Sequence, residues 1–454
     1  MSIFRAYDIR GIVGDSLTPE IAIQLGQAIG SEAAARQQST VVVARDGRLS
    51  SPALKDALIT GLLATGRAVI DIGMVPTPVL YFATHHLKTG SGVMITGSHN
   101  PPNYNGFKIM LGKQTLSGEA IQALKLRLES NDLVSGKGVL CTIDIQQDYI
   151  QRITQDVKLA RPFKVVVDCG NGVAGVIAPA LLRALGCEVI ELFCDIDGHF
   201  PNHHPDPSQP ENLAVLITAV KTHGADLGLA FDGDGDRLGV VDNTGKIIWP
   251  DRQMQLYATD ILQRNPGAKI IFDVKCSRHL GNVIKQHGGE PIMWKTGHSF
   301  IKAKIQETDA LLGGEMSGHI FFKERWYGFD DALYTAARLL EILAKESSSP
   351  TEVLARLPDA VNTPELKLEL EQFGQHYELM DKINQTFHFE QAEICTIDGI
   401  RADFKAGWGL VRPSNTTPCL VIRFEADNLA ALHEIQAQFR QQLLAVDNNL
   451  KLPF

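Results

Sequence analysis

A chain of 454 residues is too long for one compact core, and about 100–200 residues per domain predicts three or four of them. With 44% hydrophobic and 21% charged residues it reads as an ordered globular protein, and no run reaches the roughly 18 apolar residues of a membrane span. The formal charge of -9 has no basic stripe set against it, which argues against nucleic acid or an anionic membrane as the main partner and leaves small anions as local ones. Seven cysteines lie scattered without a CxxC pair, which favours reduced thiols in a cytoplasmic compartment over a disulfide framework or a cysteine-bound metal. The first ten residues carry charges and no apolar stretch of signal-peptide length, so the protein is expected to be untargeted.

Along the chain, FRAYDIRG (4–11) offers Arg5, Tyr7 and Arg10, of which Arg10 is placed to face an anion or, equally, solvent. A three-beat pattern follows and recurs three times. Its first beat is a β-branched run ending in a polar turn, at 40–44, 165–167 and 270–272, each read as a buried parallel strand. Helical patterns at 52–63, 176–185 and 278–286 come next, closed by Gly66, Gly186 and Gly288. The second beat is another strand, at 68–72, 188–193 and 291–294, which makes each strand-helix-strand a right-handed βαβ unit. The third beat is an apolar run that breaks into a polar loop: GVMITGSHN (92–100), LGLAFDGDGDR (227–237) and ALLGGEMSGH (310–319). Ligands in open α/β sheets sit outside the carboxyl ends of strands, so these loops are expected to converge on one cleft. The last hundred residues differ. Segments at 366–371 and 377–387 precede strands at 393–397, 400–404, 409–412 and 420–425 and a helix at 429–444, an α+β arrangement with antiparallel pairing. The expected architecture is three similar mixed-sheet α/β domains, 1–145, 146–246 and 247–358, and a C-terminal α+β domain, 359–454, around a central cleft.

The loops carry the chemistry. In TGSHNPPNYNGFK (96–108), Ser98 is expected on an exposed loop tip, where a hydroxyl beside His99, Asn100 and Lys108 suits a nucleophile or phosphate carrier, or else caps a surface turn. Asp232, Asp234 and Asp236 alternate with glycines, and three carboxylates turned inward together need a cation. Oxygen-only ligands suit Mg²⁺, whereas an EF-hand would need Gly and Glu where Arg237 and Asn243 stand. Glu315 and Ser317 are acceptors for sugar hydroxyls, and His319 can carry protons near neutral pH, although the same glycine-rich loop suits a plain turn. Arg412, Ser414, Asn415 and Thr416 gather a guanidinium, hydroxyls and an amide, a set suited to the oxygens of a phosphate or to a polar hairpin turn.

FRAYDIRG, TGSHNPPNYNGFK, FDGDGDR, KTGHS, GGEMSGH and RPSNTTP occur in the order and spacing of the α-D-phosphohexomutase superfamily, and the chain most closely resembles its phosphomannomutase/phosphoglucomutase branch over essentially its whole length. The resemblance implies that Ser98 is a phosphoserine, that Asp232, Asp234 and Asp236 hold Mg²⁺ with it, and that Lys108, Arg10, Arg237, His298 and His319 flank the reacting oxygens. It further implies that Tyr7, Lys275, Glu315 and Ser317 line the sugar site and that Arg412, Ser414, Asn415 and Thr416 grip the distal phosphate. A hexose 1,6-bisphosphate is the expected intermediate and activator, and hexose phosphates are the expected partners of a cytoplasmic monomer, an oligomer being left open. His319 and Lys108 both stand as the base. The rivals are a phosphoglucosamine mutase, against which Met316 counts, a glucose-only mutase, and a metal-dependent sugar phosphatase, which needs a site open to water.

Overall fold

The computed structural model describes residues 3–5, 7–415 and 417–454. Its first three sheets share one strand order. In the first, Ala68–Met74 lies beside Thr40–Arg45 and Thr40–Arg45 beside Gly92–Ile95, all parallel, and Tyr104–Leu111 returns antiparallel against Gly92–Ile95. The second repeats this with Glu188–Leu192, Lys164–Asp168, Leu227–Phe231 and the return Leu238–Asp242. The third does so with Glu290–Trp294, Lys269–Asp273, Leu312–Gly314 and the return Ile320–Phe322. Each polar loop of the third beat is therefore the turn between a buried parallel strand and an antiparallel return. The three α/β sheets are mixed, as expected, and the three polar loops occupy equivalent places in them.

The inner parallel strands are buried on both faces, which is why they read as unbroken apolar runs: Val41, Val42 and Val43 have no exposed surface, whereas the outer strands Glu188–Leu192 and Glu290–Trp294 are partly exposed. The first sheet gains Ile9–Ile12, antiparallel to Tyr104–Leu111, and Leu140–Thr142 on its other edge. The helix expected at 176–185 is split into a 3-10 turn, Val173–Val176, and a helix, Ala178–Ala184. Helix Ala332–Lys345 is buried along nearly all its residues and belongs to a core shared by parts of all three sheets. The C-terminal sheet is wholly antiparallel, with Gly407–Pro413 and Cys419–Ala426 at its centre, and it packs its own core against helices Gln375–Thr386 and Leu429–Val446. Among the described residues no helix is long and apolar enough to cross a membrane.

Candidate active site

Where strand Gly92–Ile95 ends, the chain is captured from two sides. Thr96 Oγ1 accepts a hydrogen bond from Ser98 N at 2.8 Å, and Asp46 accepts one from Gly97 N at 3.1 Å. Beneath the loop, Arg48 donates to the carbonyls of Ser98, Asn100, Pro101 and Tyr104 at 2.6–3.0 Å while pairing with Asp46 at 3.2 Å. This grip holds Ser98 at φ +49°, a left-handed conformation that costs a non-glycine residue about 1–3 kcal/mol and persists only where its surroundings enforce it. The exposed tip expected for Ser98 is corrected: the residue is 5% exposed, because the second sheet's acidic loop closes over it. A Cβ on Gly233 would stand 2.3 Å from the Ser98 carbonyl oxygen, so glycine there permits the approach. Ser98 Oγ lies 3.2 Å from His99 Nδ1, and burial together with Arg237 holds the His99 imidazole well below its usual pKa.

Asp232, Asp234 and Asp236 fill that acidic loop, all without exposed surface, and their ligand atoms lie within 4.8 Å of one another. Lys108 Nζ donates to Asp234 Oδ2 at 2.7 Å and to Asp236 Oδ2 at 2.5 Å. Thr77 Oγ1 donates to Asp234 Oδ2 at 2.6 Å. Asp232 accepts from the Asp236 and Arg237 amides and from Arg237 Nε at 2.9 Å, and Arg237 also meets Asp206 at 3.2 Å. Asp234 Oδ1 and Asp236 Oδ1 are left buried with no hydrogen-bond partner among the described residues. Burial and the neighbouring Asp236 push Asp232 up to about 8. Burial works against charge on Lys108, yet Asp234 and Asp236 lift its pKa well above the usual lysine value. Orphaned carboxylate oxygens, an oxygen-only donor set and residual repulsion between carboxylates are what a divalent cation would satisfy, so these residues fit one.

The third loop brings His319 to the same place. Its Nδ1 lies 3.5 Å from Asp236 Oδ1 and 3.1 Å from Asp330 Oδ2, and Arg237 and His319 pair as an isolated β-bridge. Burial pulls the His319 pKa down, but Asp236 and Asp330 more than offset it and the value is raised. Asp330 also accepts from Lys302 Nζ at 2.9 Å. The His298 ring stacks 5.5 Å from that of His319; burial and Lys302 hold His298 well below its usual pKa. Glu315 accepts from Gly297 N, and burial, opposed by His319, pushes its carboxyl up to about 7. Ser317 is half-buried in the same turn.

Tyr7 links this centre to the last sheet. Its ring lies 6.1 Å from that of His298, its hydroxyl donates to the Thr296 carbonyl at 2.9 Å, and it accepts from Asn415 Nδ2. Arg412 Nε donates to Asp398 at 2.9 Å, Asp398 also accepts from Thr296 N at 3.0 Å, and Arg412 Nη2 is buried without a partner among the described residues. Ser414 Oγ lies 2.9 Å from Thr417 Oγ1. Thr416 lies outside the described residues. Lys275 Nζ donates to Glu365 at 2.6 Å. Arg10 pairs with Asp8 at 2.5 Å and sits opposite Gly106, two residues from Lys108. The described candidates thus gather as one cluster of Ser98, Lys108, the aspartates, Arg237 and His319, joined through His298 and Tyr7 to a second group around Arg412. Arg48, Thr77, Asp330 and Lys302 also belong to this architecture and carry no motif of their own. Asp330 and Asp331 stand side by side in GFDD (328–331), a pairing of acids that singles out neither of them.

The chain matches four families in succession: Phosphoglucomutase/phosphomannomutase, alpha/beta/alpha domain I over residues 1–134, domain II over 147–245, domain III over 249–361, and the C-terminal domain over 360–442. It is 58% identical over 453 residues to a protein of Pseudomonas aeruginosa named phosphomannomutase/phosphoglucomutase, covering 100% of this chain and 98% of that one. A Neisseria meningitidis protein named phosphoglucomutase is 55% identical over 441 residues, covering 96% of each. A crystal structure of a phosphoglucomutase/phosphomannomutase family protein from Burkholderia thailandensis superposes with a TM-score of 0.95 at 53% identity, over 100% of this chain and 99% of that one.

Proposed function

Because the chain belongs to the phosphoglucomutase/phosphomannomutase family, we propose that it interconverts hexose 1-phosphates and hexose 6-phosphates, of mannose and of glucose, through a phosphoserine at Ser98 and a 1,6-bisphosphate. The observation that carries this reading is the burial of Ser98 against an oxygen-only acidic loop, with Lys108 between two of its carboxylates. We place the four domains at 1–145, 146–246, 247–358 and 359–454.

In this reading Arg412, Ser414, Asn415 and Thr416 hold the phosphate that is not reacting, and Glu315 and Ser317 accept from sugar hydroxyls. Lys275, His298 and Tyr7 line the space between. The free hydroxyl of the sugar attacks the Ser98 phosphoryl group in line: a phosphorus–oxygen bond forms to the sugar as the bond to Ser98 Oγ breaks, and the hydroxyl proton leaves to a base. His319 suits that base, since Asp330 at its Nδ1 leaves Nε2 to accept the proton. Lys108, Arg237 and Arg10 offset the charge spread over the phosphoryl oxygens. Asp232, Asp234, Asp236 and the Ser98 phosphate would hold the cation, assigned as Mg²⁺, which when bound supplies further neutralisation of that charge. The bisphosphate then turns over in the cleft and returns its other phosphoryl group to Ser98. A trace of hexose 1,6-bisphosphate is the activator because it recharges any serine that has lost its phosphate. Burial of Ser98 favours transfer to a sugar over transfer to water, which counts against the phosphatase reading. The protein is taken as a cytoplasmic monomer whose partners are small hexose phosphates.

The test is an assay of glucose 1-phosphate and mannose 1-phosphate with Mg²⁺ and a trace of bisphosphate, with intact mass measured in parallel. Wild type is expected to isomerise both and to carry one phosphate. Ser98→Ala and Asp234→Ala are expected to fall to background, and Ser98→Ala to lose the phosphate. Isomerisation of neither sugar by the wild type sinks the reading.

A further inference from the structure

We infer that Thr77 is a positioning residue for the metal site: its hydroxyl fixes the Asp234 carboxylate so that one oxygen stays free for a divalent cation. The inference rests on the reading of Asp234 as a metal ligand. Thr77 opens helix Thr77–His86, in the first sheet's part of the chain, 157 residues before the aspartate it touches, and it has no exposed surface. Two hydrogen bonds join it to the acidic loop. Its amide donates to the Asp234 carbonyl at 2.9 Å, and its hydroxyl donates to Asp234 Oδ2 at 2.6 Å.

These two bonds do different work. The amide bond docks helix and loop together, and any residue except proline would keep it. The hydroxyl bond acts on the carboxylate alone. With Lys108 it engages Asp234 Oδ2 twice, while Oδ1 of the same group is buried without a partner among the described residues. A buried carboxylate that leaves one oxygen unsatisfied is costly, and it persists where donors hold the other oxygen in place. Without the hydroxyl, Oδ2 would be held by Lys108 alone, which it shares with Asp236. The carboxylate could then turn Oδ1 toward the ammonium and away from the cation. Outer groups that orient a metal ligand in this way typically carry about 10–100-fold in metal affinity.

Binding of Mn²⁺, measured by electron paramagnetic resonance of the free ion, separates the possibilities. Thr77→Val keeps the shape and the amide bond but removes the hydroxyl, and it is expected to raise the Mn²⁺ dissociation constant by about 10–100-fold. Thr77→Ser keeps the hydroxyl and is expected to bind like wild type, whereas a role in packing alone would make serine the weaker variant and valine the normal one. Asp234→Asn tests the site itself. If it binds Mn²⁺ as wild type does, or if wild type binds none, the metal reading of Asp234 fails and takes the inference with it. If Asp234→Asn loses binding while Thr77→Val retains it, the inference about Thr77 falls alone. Should Thr77→Val fail to fold, Thr77→Ala set against Thr77→Ser gives the same contrast, and equal affinities for those two overturn the inference.

Discussion

Glu315 is a carboxyl whose burial pushes it up to about 7, so in the ligand-free protein it changes charge within the working range of most enzymes. Below that value it holds a proton and one oxygen becomes a donor; above it both oxygens can accept from sugar hydroxyls. The sign follows: kcat/KM for a hexose phosphate is expected to fall by about tenfold per pH unit or more as pH drops below 7, and Glu315→Gln is expected to fall less steeply, with lower activity throughout, since His319 still takes up a proton in the variant. The substrate phosphate and His319 titrate in both proteins, so the difference in steepness between the two profiles reports Glu315, and profiles of the same shape would count against its proposed place beside the sugar. Single residues also mark where the sequence stops being readable. Ser98 and the aspartates were legible because each motif gathers its chemistry within a dozen positions. Arg48, Thr77 and Asp330 were not, since each is an ordinary residue whose meaning lies in partners on other elements, such as the four carbonyls that Arg48 collects from 50 to 56 positions away. The burial of Ser98 is unreadable for the same reason: what lies against it is Gly233, in the loop that leaves a different sheet.

At the scale of elements, the parallel strands and the loops after them could be read in advance because strands buried on both faces must be continuously apolar. Their antiparallel returns, Tyr104–Leu111, Leu238–Asp242 and Ile320–Phe322, went unannounced, as they follow directly on motifs already read as loop. Helix packing was equally silent. Helices Pro19–Ala35 and Ser51–Ala64 cross at Gly26 and Gly61, where a Cβ on Gly61 would lie 2.1 Å from the Ile23 carbonyl oxygen and 2.9 Å from the Gly26 Cα. Alanine would gain about 0.5–1 kcal/mol of intrinsic helix preference at Gly61, but a clash with backbone cannot relax by a rotamer change. Gly61→Ala is therefore expected to destabilise by about 1–3 kcal/mol net and to lower the melting temperature while the folded fraction keeps its specific activity. An unchanged or higher melting temperature would show that the two helices can separate without cost.

Over the whole molecule, the C-terminal sheet has a core of its own and is tied to the third sheet through carbonyl oxygens. Arg401, 1% exposed and stacked 3.9 Å over Trp408, donates to the Val274 and Cys276 carbonyls at 2.7 and 2.8 Å, and Arg423 donates to that of Lys275 between them. Hydrogen bonds from charged donors carry about 1.5–3 kcal/mol each. Arg401→Ala is expected to uncouple the last domain, so that scanning calorimetry resolves a separate transition at lower temperature; a single transition at the wild-type temperature would place the coupling elsewhere. The long reach of Lys108 to its carboxylates has a consequence in time. Asp234 and Asp236 are made 126 and 128 residues after the lysine, and at about 5–20 residues per second the ribosome needs roughly 6–25 s to add them. For that interval the nascent chain carries its serine and lysine with no acidic loop to close over them. A ribosome stalled between the first sheet and residue 236 would release a chain that has Ser98 and Lys108 in place and no carboxylates to meet them.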